Sequence, residues 1–230
     1  MKLLLTDSGI KNASIHDALL GLLGKPIAEA SALFVPTALH AQRNGAAQAY
    51  RVISGQETRA PMTGLGWKSV GVLELTALPT AGEDLWVPLV RETDVLLVEG
   101  GDPMYLCHWM RESGLAGLFP SLRDTVYVGL SAGSMVMTPR IGPDFVRWSP
   151  PGGGDTALGV VGFSIFPHLD YPGMAGNTMA EAEKWAASIP TPAYAIDNET
   201  ALKVVDGDVE VVSEGQWRLF NQTTDISTPG

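Results

Sequence analysis

A short, almost wholly apolar run followed by a helix-like stretch recurs along this chain, and that alternation restricts the fold more than any other feature. Lys2–Thr6 (KLLLT) predicts a buried strand ended by Asp7-Ser8-Gly9, after which Ser14–Leu23 places Ile15, Leu19, Leu22 and Leu23 at helical spacing. Ala32–Pro36, Ser69–Leu75, Asp94–Val98 and Thr125–Leu130 predict four more strands, with helices expected over Ala41–Ile53, Tyr105–Ser113 and Ala132–Met137 and a helix or turn over Glu83–Glu92. Gly159–Phe166 predicts a further strand and Ala180–Ala187 a further helix. Strands apolar on both faces require cover on both faces, so the expected fold is a three-layer α/β arrangement with a mostly parallel sheet flanked by helices. The tail changes character. Ala193–Ile196, Ala201–Val205 and Val209–Val212 read as short strands, and Asp206-Gly207 is a hairpin signal, so a C-terminal antiparallel extension is expected at one edge.

The chain has 230 residues without repeats or a low-complexity linker, so one domain over residues 1–230 is expected. Lys and Arg total 15 against 25 Asp and Glu, a net charge of −10, which repels phosphate backbones and argues against a nucleic-acid partner. No run approaches the roughly 20 apolar residues of a membrane span, and the apolar start is too short for a secretory leader, so a cytoplasmic location is expected. A lone cysteine, Cys107, allows neither an internal disulfide nor a Cys/His zinc cage, and no metal or cofactor is expected.

In open parallel sheets functional groups gather beyond the carboxyl ends of the strands. The positions to inspect are Asp7 and Ser8, Thr37 to His40, Glu99 to Asp102, Ser131, and Pro167 to Asp170. Among them Gly129-Leu130-Ser131-Ala132-Gly133 fits G-x-S-x-G directly after a strand and at the opening of a helix. A tight strand-to-helix turn exposes the hydroxyl, and the helix that follows aims free N–H groups, that of Ala132 first, at a developing oxyanion. A second donor is expected from the glycine turn Gly100-Gly101, at Gly101 or its neighbour. Of the four histidines, His168 alone lies downstream of Ser131, at a strand's carboxyl end, and it is the expected base. The orienting acid is left open among Asp144, which leads, and Asp155, Asp170 and Glu99. Glu99 and Asp102 put carboxylates at the cleft, where either could receive a cationic group of a ligand.

Three motifs together, Leu97-Val98-Glu99-Gly100-Gly101-Asp102, Val128-Gly129-Leu130-Ser131-Ala132-Gly133-Ser134 and Phe166-Pro167-His168, resemble the peptidase E family. These are serine dipeptidases related to cyanophycinase on a class I glutamine-amidotransferase-like fold. The resemblance extends to the closing strands around Ala195-Ile196-Asp197-Asn198-Glu199-Thr200-Ala201. It implies Ser131 as nucleophile, His168 as base, Gly101 and Ala132 as oxyanion donors, and a short peptide as substrate. It also marks departures. The family turn reads G-G-G-N, whereas Glu99 and Asp102 stand at its first and last positions here. The family's acid lies further past the serine than Asp144. The family arginine that anchors an N-terminal aspartate has no counterpart in residues 177–187, which carry only Lys184, so strict aspartyl specificity is not expected. Two other readings stand beside this one: an amide or ester hydrolase of cyanophycinase type, and a non-catalytic binding protein on the same fold. A homodimer is the protein partner considered.

Overall fold

The computed structural model of the chain describes residues 1–57 and 61–222; the expected single domain also takes in 58–60 and 223–230, which lie outside the described residues. Ten strands run in chain order as β1 (Lys2–Thr6), β2 (Ser31–Val35), β3 (Ser69–Val72), β4 (Val95–Val98), β5 (Val126–Leu130), β6 (Ser164–Phe166), β7 (Ala193–Ile196), β8 (Thr200–Val205), β9 (Asp208–Ser213) and β10 (Trp217–Phe220). The helices are α1 (Ala13–Leu23), α2 (Gly45–Ile53), α3 (Glu83–Glu92), α4 (Pro103–Glu112), α5 (Leu115–Leu118), α6 (Ala132–Met135) and α7 (Met179–Ala187). A seven-stranded sheet has the order β3-β2-β4-β5-β1-β8-β9. Its first five members are parallel, β8 adds antiparallel to β1, and β9 adds antiparallel to β8.

Period-two alternation divides the strand side chains between two cores. Leu3 and Leu5, Leu33 and Val35, Leu96 and Val98, and Tyr127 pack on one face with Trp86 and Val90 of α3, Leu106 and Met110 of α4, and Met135 of α6. Leu4, Ala32 and Phe34, Val95 and Leu97, and Val126 and Val128 pack on the other with Ile15, Leu19 and Leu22 of α1. Burying a side chain of this size contributes about 1.5–3 kcal/mol, so the three layers are held chiefly by apolar packing. Local signals agree with it. The Asn12 side chain accepts the Ile15 N–H at 2.9 Å to start α1, and Gly24 ends it with φ 65°. Asp206 and Gly207 take φ 52° and 93° in the two-residue β8–β9 hairpin, the geometry that favours Asp-Gly.

Two expectations change. The run Gly159–Phe166 is strand only over its last three residues, and β6 pairs in parallel with β7 rather than joining the main sheet. β10, not expected from the sequence, pairs with the other edge of β7 to complete a separate three-stranded sheet over Trp185, Phe166 and Ala182. Among the described residues no helix is long and apolar enough to cross a membrane.

Candidate active site

The order β4-β5-β1 at the centre of the sheet brings three turns side by side at the carboxyl ends of the strands: Glu99-Gly100-Gly101, Ser131, and Asp7. Thr6 is in register with Leu130, so Asp7 and Ser131 each stand one step beyond a paired residue. The Ser131 N–H donates to the Thr6 carbonyl at 3.1 Å, and the Ser134 hydroxyl to the same carbonyl at 2.7 Å, tying the elbow to β1.

The elbow itself explains its glycines. Ser131 has φ 49° and ψ −108°, outside the regions that residues with a side chain ordinarily adopt. A Cβ on Gly129 would lie 2.6 Å from the Gly133 carbonyl oxygen, and one on Gly133 would lie 2.3 Å from that of Val98. Both contacts are with backbone, so neither position accepts a side chain. Beneath the turn, the buried Tyr127 hydroxyl donates to the Gly133 carbonyl at 2.6 Å.

Facing the elbow, His168 Nε2 lies 2.8 Å from Ser131 Oγ. The other ring nitrogen, Nδ1, is 3.1 Å from Asp7 Oδ2, and the His168 backbone N–H donates to Asp7 Oδ1 at 2.5 Å. Asp7 is fully buried, and Oδ2 accepts a third bond, from the Ser8 hydroxyl at 2.8 Å. The carboxylate thus holds both the ring and the backbone of His168, which sits at φ 57°. With Nδ1–H donating to Asp7, the Nε2 lone pair points at the serine, the tautomer that a general base requires.

The orienting position beside His168 is therefore occupied by Asp7, and not by Asp144. Asp144 lies exposed in the short 3-10 turn Pro143–Phe145. Asp155 accepts from Arg140 at 2.9 and 3.0 Å and from the Gly142 N–H at 3.0 Å, bracing the loop after α6. Asp170 is exposed, in the turn after His168, and its backbone N–H donates to the Asn177 carbonyl at 2.7 Å. Of the other histidines, His40 pairs with Glu74 at 2.9 Å, His16 lies 3.8 Å from Asp17, and the His108 ring packs against Trp109 and Trp148.

The turn after β4 carries the other expected donors. Gly101 has φ 143°, and a Cβ there would lie 2.2 Å from the Ala38 carbonyl oxygen, which accepts the Asp102 N–H at 3.0 Å. Its own N–H has no partner among the described residues, and that of Ala132 opens α6 with no acceptor inside the helix. Asp102 is buried and caps α4: Oδ1 accepts the Met104 and Tyr105 N–H groups at 2.9 Å, and Oδ2 accepts that of Trp148 at 2.8 Å. Both oxygens are committed, so the carboxylate has little left to offer a ligand. Glu99 differs. Among the described residues it accepts only the Gly100 N–H, at 3.1 Å, and desolvation pushes its carboxyl above the ordinary glutamate range, that one bond pulling the other way.

These groups line one cleft of about 550 Å³ that includes Glu99, Gly101, Ser131, His168, Arg43 and Arg147. A larger groove, of about 710 Å³, lies at the amino end of β1 among Leu3, Phe119 and Val160; it has no serine, cysteine or histidine in its wall. Among the described residues no three His, Cys, Asp or Glu side chains converge as metal ligands.

The model of peptidase family S51 matches residues 3–212. Two solved structures share the fold. One is a protein from Listeria monocytogenes EGD-e provisionally assigned as a peptidase E, with a TM-score of 0.64 at 19% identity over 93% of this chain and 98% of that one. The other is a peptidase from an acI-B1 Actinobacterium, with a TM-score of 0.68 at 22% identity over 94% and 88% of the two chains. No curated protein matches the chain.

Proposed function

Since the chain belongs to peptidase family S51, we propose that it is a serine peptidase that hydrolyses short peptides at the cleft between Ser131 and His168. The observation that carries this is the unbroken line of hydrogen-bonding groups from Asp7 through His168 to Ser131 Oγ. His168 Nε2 takes the hydroxyl proton as Oγ attacks the peptide carbonyl carbon. Asp7 holds the imidazole in its tautomer and balances the positive charge that develops on it. Negative charge gathering on the carbonyl oxygen is received by the N–H groups of Gly101 and Ala132. His168 then gives its proton to the leaving nitrogen as the carbon–nitrogen bond breaks. Water, activated by the same ring, attacks the acyl–serine ester; the acid product leaves and Ser131 regains its proton.

Glu99 is the group we assign to the substrate's free amino terminus, because its carboxylate is the cleft's uncommitted acid. An ammonium placed beside it would offset the desolvation that raises its pKa. Exopeptidase action follows from that placement.

Labelling with a serine-directed fluorophosphonate, mapped by peptide mass, tests the reading on wild type, Ser131→Ala and His168→Ala. A single adduct on Ser131 that requires His168 supports it; a folded wild type that takes no label overturns it and favours a binding protein. A panel of dipeptides, blocked peptides, esters and side-chain amides then separates a peptidase from a hydrolase of cyanophycinase type.

A further inference from the structure

Two cations face the same cleft, and neither has a partner among the described residues. Arg43 and Arg147 are exposed at its wall, and among the described residues neither guanidinium makes a hydrogen bond or an ion pair. Both sit on anchored backbone. Arg43 lies in the turn between the 3-10 helix Thr37–Ala41 and α2, closed by Gln42 N–H to the Leu39 carbonyl at 2.8 Å and Gly45 N–H to the Gln42 carbonyl at 3.0 Å. Gly45 packs so closely on Leu39 that a Cβ would overlap its carbonyl oxygen. Arg147 precedes Trp148, whose N–H is held by Asp102 and whose ring packs against Tyr105 at 5.4 Å and His108 at 5.2 Å between centroids.

The tethers of both segments lead to the same place. The Ala38 carbonyl, in the 3-10 helix before Arg43, receives the Asp102 N–H, and the Asp102 carboxylate receives the Trp148 N–H. Both arginines are thus attached to the turn that carries Gly101 and Glu99. In a chain of net charge −10, two unpaired guanidiniums beside a candidate nucleophile make a local site for an anion. Arginine matches a carboxylate through two parallel N–H bonds, and its planar fork makes that recognition directional.

We infer that Arg43 and Arg147 hold the free α-carboxylate of the residue that leaves, so that the cleft takes peptides of two or three residues bearing both free ends. The inference rests on the peptidase reading. It adds to it a second recognition element in the same cleft: Glu99 for the ammonium end, the arginine pair for the carboxylate end. A cleft of about 550 Å³ suits a ligand of that size and excludes a folded chain.

The test uses Ser131→Ala protein, which binds without turnover, and calorimetry with alanyl-, leucyl-, aspartyl- and asparaginyl-alanine and their C-terminal amides. The expected result is that the free acids bind at least about tenfold more tightly than the amides. Arg43→Gln and Arg147→Gln each narrow that gap, and the double variant closes it with the affinity for amides unchanged. Equal binding of acids and amides, no binding of any free acid, or a gap that survives in the double variant overturns the inference. It is also overturned if the arginine variants erase only a preference for aspartyl- over asparaginyl-alanine, since the carboxylate recognised would then be a side chain of the acyl residue. Fluorophosphonate labelling of the parent protein is read separately, so a failure of the peptidase reading is distinguished from a failure of this one.

Discussion

Replacing Asp7 by asparagine is the sharpest test of the site, because it changes charge with little change in shape. In the wild type the carboxylate lies within 3.1 Å of His168 Nδ1 and is wholly removed from solvent. As Ser131 loses its proton, a positive charge forms on the imidazole; with the two delocalised charges about 4 Å apart and an effective dielectric near 20, their attraction is about 4 kcal/mol. Losing that alone slows acylation about a thousandfold. The asparagine adds a second penalty. Its carbonyl oxygen can serve either the His168 backbone N–H or the ring, and an amide NH2 turned toward Nδ1 selects the tautomer that puts a proton, not a lone pair, on Nε2. Together these give a fall on the order of 10⁴-fold in kcat. The assay is the rate of fluorophosphonate labelling together with kcat/KM on a dipeptide, with a thermal melt to show that the variant is folded. A folded Asp7→Asn protein within about tenfold of wild type refutes the assignment, and it does so most clearly if Asp144→Asn is the variant that loses activity.

Three further outcomes follow from the same geometry. Asp102→Ala removes the acceptor of three N–H groups and costs about 2 kcal/mol, a fall of roughly 4–8 °C in Tm by calorimetry. Gly133→Ala drives a methyl group into the Val98 carbonyl, costs about 3 kcal/mol or more, and abolishes labelling of Ser131 even where the protein stays folded. For Glu99, burial raises the folded-state pKa, so the folded protein holds that proton more tightly than the unfolded chain does. The proton's contribution is present at low pH and is lost as pH rises above the ordinary value of 4.5 toward the raised one. Glu99→Gln should therefore match wild type near about pH 4 and exceed its Tm increasingly toward about pH 8, a gap that thermal melts across this range would measure.

The sheet was legible because its code is local. Lys2–Thr6 forms the strand that its apolar run predicts, α1 forms over the helical spacing of Ser14–Leu23, and the Asp-Gly hairpin forms where its dipeptide stands. Ser131 and His168 could be singled out by turn chemistry and by a strand's end. Asp7 could be placed but not given a role. Its position after the first strand is visible, yet chain order points to acids nearer Ser131; what brings Asp7 to His168, 161 residues away, is the insertion of β1 beside β5, which pairs residues 124 apart. Lateral strand order is a property of the whole chain and leaves little trace in any short window. The same holds for β6 and β10, each too short to announce a second sheet whose centre is β7. Arg43 and Arg147 carry no motif at all; only the folding of two separate turns onto Asp102 brings them to one cleft.

During synthesis Asp7 leaves the ribosome 161 residues ahead of His168, and the strand that carries it keeps one edge open until Thr200–Val205 has been made to pair with it. A chain made past Met135 but short of His168 therefore holds an elbow without its base. On the proposed mechanism, the capacity for hydrolysis therefore arrives late, as a by-product of completing the sheet.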